Sequence, residues 1–218
     1  MNSMQPHHLT VSKTARYFML GSPDSQLEQV WFVCHGYGQL ASLFIKHFEI
    51  LNDEPRLIIA PEGLSRFYWE GFSGRVGASW MTKEDRLNEI KDYVSYLDTL
   101  YNEVFKRVNR SAVKVFVLGF SQGVATVCRW LRQGRAKADQ LILWAGTMPP
   151  ELDAGVMRNM LQQRPLTLVT GKQDEFADPD RLIEEEKQLK EREIPYRLIL
   201  FEGGHQIDSE VLKELANS

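Results

Sequence analysis

The strongest constraint on this chain is an alternation. Six short apolar runs, at residues 29–34, 56–60, 113–118, 140–144, 166–170 and 196–201, are interleaved with stretches of helical periodicity. Each run is bounded by Gly, Pro or charged residues. Their length and β-branching favour strands over buried helix segments. Nearly continuous apolar runs of this kind belong to strands covered on both faces. Residues 42–51 place Leu43, Phe44, Phe48 and Leu51 near one side of a helix, and residues 83–107 repeat apolar positions at helical spacing. Further helices are expected at 121–133, 179–193 and 209–216, with Asp178 and Asp208 as N-terminal caps. Residues 9–20 read as an antiparallel opening strand. Strands alternating with helices imply an α/β protein with a mostly parallel sheet of about seven strands and helices on both faces. No linker or repeat interrupts the pattern, so residues 1–218 are read as one domain without a large lid.

One stretch departs from the alternation. Residues 61–81 hold Phe67, Tyr68, Trp69, Phe72 and Trp80 among four glycines, and read as a long loop. Loops of that length inside a compact domain are commonly functional. The run Glu184-Glu185-Glu186 reads as a solvated helix face.

The formal net charge of -3 gives no broad electrostatic footprint for nucleic acid. No basic segment followed by an apolar run opens the chain, and no segment is apolar enough to form a transmembrane helix. Cys34 and Cys128 lie in apolar contexts outside any CxxC pair, as small buried hydrophobes do in a reducing compartment. The cytoplasm is the expected location.

The sharpest chemical signal is Gly119-Phe120-Ser121-Gln122-Gly123, directly after one predicted strand and directly before a helix. G-x-S-x-G in this setting is a tight turn that lifts the serine above the sheet edge. An ordinary turn with Ser121 as a helix cap would share the same five residues, so partners decide. A serine nucleophile needs a base, and the base needs a group that fixes its tautomer. Of five histidines, His7 and His8 lie near the terminus, and His47 falls inside a helical pattern. His35 opens a glycine-rich loop. His205, in Glu202-Gly203-Gly204-His205-Gln206, follows the last predicted strand, where reactive groups of open α/β sheets gather. Asp174 leaves the end of the preceding strand, with Glu175, Asp178 and Asp180 as rivals. The order Ser121, Asp174, His205 suits this topology. The loop His35-Gly36-Tyr37-Gly38 would add the Tyr37 amide to that of Gln122 as an oxyanion hole, with His35 bracing the loop.

These motifs resemble the carboxylesterase/phospholipase branch of the α/β-hydrolases, which includes the acyl-protein thioesterases. The likeness runs over nearly the whole chain: an HG-x-G loop at 35–38, a GFSQG elbow at 119–123, G-x-x-D at 171–174 and GGH at 203–205. It implies an α/β-hydrolase fold and a serine hydrolase acting on carboxylic esters, thioesters or lysophospholipids, with no metal or organic cofactor. Its substrate would be a small or lipid-like acyl compound, and the family contains both monomers and homodimers. Gln39 stands where the family often has an acid, and Ala78-Ser79-Trp80-Met81-Thr82 departs from a Ser-x-Trp-Phe-Asp-like segment. Phe67, Tyr68, Trp69, Phe72 and Trp80, with Met148 and Phe176, could line an acyl pocket or form a packed satellite of the core. A peptidase or lactonase on the same scaffold, or a binding module without turnover, are the alternative readings.

Overall fold

The structure, a computed structural model, describes residues 4–23, 26–52, 55–152, 166–177 and 179–217. The predicted runs form one sheet from β1 (Tyr17–Leu20), β2 (Gln29–Cys34), β3 (Arg56–Pro61), β6 (Lys114–Phe120), β7 (Gln140–Trp144), β8 (Leu166–Gly171) and β9 (Tyr196–Phe201). Their spatial order is β1-β3-β2-β6-β7-β8-β9. All neighbours are parallel except β1, which runs antiparallel to β3 and closes that edge.

Side chains alternate across each strand, so every central strand feeds two cores. Val30, Phe32 and Cys34 of β2 join Val115 and Val117 of β6 on one face, beneath α2 (Arg86–Phe105), α3 (Gln122–Gln133) and α4 (Pro179–Glu191). Trp31 and Val33 join Phe116 and Leu118 on the other face. That face is covered by α1 (Ala41–Phe44), the 3₁₀ segment after it and α5 (Ser209–Ala216). Trp31 and Phe116 are register partners, and their rings stack at 4.2 Å with planes 5° apart. The Trp31 indole N–H is satisfied by Gln29 Oε1 at 2.9 Å.

Four sequence expectations need correction. The opening strand occupies only Tyr17–Leu20. The helix expected at 42–51 tightens after four residues into a 3₁₀ segment, Ile45–Leu51. With three residues per turn, Ile45, Phe48 and Leu51 eclipse and face the core, while Leu43 is exposed. The long helix begins at Arg86, because Asp85 takes φ 48° and cannot continue a right-handed helix. The loop at 61–81 is largely a hairpin of β4 (Ser65–Glu70) and β5 (Ser73–Ser79), paired antiparallel with a bulge between Tyr68 and Glu70. Gly71, at φ 57°, occupies the first central position of its two-residue turn, where a Gly-X turn demands positive φ. The bulge and the glycines break the period-two pattern that would have betrayed the strands.

Asp208 caps α5 as expected, accepting the N–H groups of Glu210 and Val211 at 3.0 Å. The expected cap at Asp178 lies outside the described residues. Among the described residues no helix is long and apolar enough to cross a membrane.

The Trp31–Phe116 stack lies at the centre of its core. Phe116→Ala is expected to lower the unfolding free energy by about 3–5 kcal/mol, measured by urea denaturation. A loss near that of a surface substitution would refute this placement of the core.

Candidate active site

Strand β6 continues through Gly119 and Phe120 and ends where the chain turns sharply into α3. Ser121 sits at that corner with φ 53° and ψ -117°, a conformation a side-chain-bearing residue adopts only under constraint. The constraint is visible in two glycines. A Cβ at Gly119 would stand 2.4 Å from the Gly123 carbonyl oxygen, and one at Gly123 would stand 2.2 Å from that of Cys34. Strand β6, α3 and the end of β2 therefore meet backbone to backbone. The Ser121 N–H donates to Trp144 O at 2.9 Å, tying the corner to β7.

The loop after β2 arches over the corner. A Cβ on Gly36 would lie 3.1 Å from the Ser121 Cβ. Gln39 Oε1 accepts the Gly36 N–H at 2.8 Å, and the Gly38 N–H donates to Ala78 O at 2.8 Å. His35 Nδ1 donates to Gly36 O at 2.7 Å, and its Nε2 accepts the Gly63 N–H at 3.0 Å. These two partners fix a neutral Nδ1–H tautomer and make His35 a brace. The Gln122 side chain spans to the segment after β5, accepting Trp80 N–H at 3.1 Å and donating to Met81 O at 2.9 Å. Among the described residues, the backbone N–H groups of Tyr37 and Gln122 have no hydrogen-bond partner.

Beyond β8 and β9 the sheet presents Asp174 and His205. The buried Asp174 carboxylate accepts from His205 Nδ1 at 2.8 and 3.0 Å. Its Oδ1 also accepts the Phe176 N–H at 2.9 Å, which fixes the carboxylate plane. The rivals Glu175 and Asp180 are exposed, and Asp178 lies outside the described residues. The imidazole is flanked by Phe120 and Phe176, each ring centroid 4.8 Å away. Ser121 and His205 open into one cavity of about 310 Å³, whose other walls include Ala125, Thr147, Phe176, Leu182 and Glu185.

The aromatic stretch lies elsewhere. Of the seven candidate pocket residues, Phe176 alone lines this cavity. Phe67 stacks on Tyr37 at 5.2 Å, and Trp69 meets Tyr37 edge-on at 6.0 Å while donating to Gly38 O. Tyr68 and Phe72 are exposed. Trp80 is buried beneath the loop, donating its indole N–H to His35 O at 2.8 Å. Met148 packs partly buried against the core. The hairpin thus splints the 35–38 loop from outside.

Sequence reading missed Glu185. Within the triple-glutamate run it is 8% exposed and lies in the cavity wall, whereas Glu184 faces solvent. The signal was present in the spacing: Leu182, Glu185 and Leu189 fall three and four residues apart, on one face of α4, and Leu189 is fully buried.

No family model and no curated protein matches the sequence. Solved structures do match its fold. A carboxylesterase from Mesorhizobium loti aligns with TM-score 0.70 at 16% identity, covering 94% of this chain and 95% of that one. Acyl-protein thioesterase 2 from Zea mays aligns at 0.68 and 17%, covering 94% and 97%. A phospholipase/carboxylesterase from Dyadobacter fermentans aligns at 0.68 and 17%, covering 96% and 98%. The chain has the α/β-hydrolase fold.

Two buried groups near the cavity titrate in opposite senses. Burial lowers the His35 imidazole from 6.5 to about 4, against smaller upward pulls from its Gly36 hydrogen bond and from Glu62. Its contribution to stability is complete above pH 6.5 and is lost as pH falls toward 4. Burial raises the Glu185 carboxyl from 4.5 to about 7, opposed only by the Met148 N–H. Its contribution is complete below pH 4.5 and is lost as pH rises through 7. Over the shared window the two offset one another. Glu185→Gln keeps an acceptor for Met148 and removes the second titration. It is expected to add about 1–3 kcal/mol at pH 8 and to leave stability falling more steeply on acidification than in the parent. Urea unfolding at a series of pH values reads both, and superimposable profiles would refute the assignment.

Proposed function

We propose that the protein is a serine hydrolase that cleaves carboxylic esters or thioesters through a covalent acyl-enzyme. The observation that carries this reading is one cavity holding Ser121 on a strained corner and His205 with its Nδ1 held by Asp174. The names of the structural neighbours, carboxylesterase and acyl-protein thioesterase among them, support the same class.

In this mechanism His205 Nε2 takes the Ser121 hydroxyl proton as Oγ bonds to the acyl carbon. The carbonyl π pair moves to oxygen, giving a tetrahedral oxyanion that the N–H groups of Tyr37 and Gln122 stabilise. Such donors are each worth about 3–4 kcal/mol in the transition state. Collapse breaks the bond to the alkoxide or thiolate, which receives the proton from His205. Water, deprotonated by the same imidazole, then attacks the acyl-enzyme, and Ser121 leaves as the free hydroxyl. Asp174 holds the ring in the Nδ1–H tautomer and stabilises the imidazolium throughout. The free, buried thiols of Cys34 and Cys128 support a reducing, cytoplasmic setting. Burial pushes both thiols far up, out of competition as nucleophiles.

Ser121→Ala is expected to lower turnover of para-nitrophenyl butyrate by about 10⁴-fold or more and to abolish labelling by a fluorophosphonate probe. Undiminished turnover would remove Ser121 from the reaction. Asp174→Asn is expected to cost about 10⁴-fold in kcat. With a cavity at the small end for ligand sites, butyryl esters should outrun dodecanoyl esters. The reverse order would show that the acyl chain does not enter this cavity.

A further inference from the structure

Among the described residues, Glu185 is a carboxyl without a counter-ion, in the wall of the cavity that Ser121 also lines. It is 8% exposed, and one of its oxygens accepts the Met148 N–H at 2.8 Å. Among the described residues it makes no ion pair, while its neighbours Glu184 and Glu186 pair along the helix with Lys187 and Lys190. His205 is already engaged by Asp174. Among the described residues of the surrounding wall, with Ala125, Ala145, Phe176 and Leu182, there is no lysine or arginine. A buried carboxylate so placed is costly unless it is paired, and a hydrolase of purely hydrocarbon acyl groups would gain nothing from it. One hydrogen bond to Met148 leaves the other oxygen for a ligand.

We propose that Glu185 receives a cationic amine carried on the substrate's acyl chain, making the enzyme selective for short amino-acyl esters or thioesters over their hydrocarbon counterparts. The inference rests on the hydrolase reading and adds the substrate class. The acyl group is the part that remains on Ser121 after the alcohol or thiol has gone, so it is the part the cavity beside Ser121 must hold. Ala125, one helical turn beyond Ser121, and Glu185 both belong to the lining of that space. An ammonium entering it would give up its hydration for the carboxylate, which has the geometry of a charge-assisted hydrogen bond to offer.

The test compares two isosteric esters on the purified full chain near pH 8: methyl γ-(dimethylamino)butyrate and methyl δ-methylhexanoate, followed by methanol release. The parent protein is expected to favour the amine by about tenfold or more in kcat/KM. Glu185→Gln should bring that ratio close to one. Because each ratio is taken within one protein, a general loss of activity does not move it. Hydrolysis of both esters without preference would overturn the inference and leave the hydrolase reading standing. So would a preference that survives Glu185→Gln, or one confined to esters with the amine on the alcohol. If neither methyl ester nor para-nitrophenyl butyrate is cleaved, the hydrolase reading itself fails, and this inference with it.

Discussion

The site depends on three backbones meeting without side chains between them. The end of β2, the end of β6 and the first turn of α3 approach closely enough that a single methyl group at Gly119 or Gly123 would overlap a carbonyl. That contact forces the Ser121 corner, and the parallel register of β2 and β6 puts Gly36 directly over it. Everything downstream is placement relative to this corner. The ends of β8 and β9 deliver Asp174 and His205 to the same edge, since parallel strands discharge their loops on one side.

Much of this was legible because it is written in local patterns. Apolar runs on both faces identified the strands, and glycines at 119 and 123 marked a corner that only a close backbone approach explains. Asp174 and His205 were legible from strand ends, chain order and the elimination of the other histidines, and the two side chains meet at 2.8 and 3.0 Å. The illegible parts are those where local pattern and tertiary outcome diverge. The hairpin at 65–79 was hidden by its bulge and glycines, and its aromatics suggested a pocket. The structure uses them as a splint against Tyr37 and Gly38. Leu43 was expected inside because an α-helical wheel was assumed where the backbone winds as 3₁₀. Glu185 was hidden by composition, since three consecutive glutamates suggest solvent while helical geometry must turn at least one of them elsewhere.

One departure from the pattern that the sequence resembles has a physical use. Gln39 stands where that pattern often has an acid, and it holds the loop through an amide oxygen that accepts the Gly36 N–H. The buried Glu62 engages Arg16 and Arg66 and accepts the Ala41 N–H. In the cavity wall α4 contributes Glu185, the one carboxylate among the described lining residues.

The span from Gln122 to Trp80 and Met81 makes the site a long-range property of the chain. It joins the first residue of α3 to a segment some forty positions earlier, while Tyr37 belongs to a third region still closer to the start. A change in any one of these three regions therefore reaches the Ser121 corner through backbone or amide contacts, without altering a residue of the corner itself.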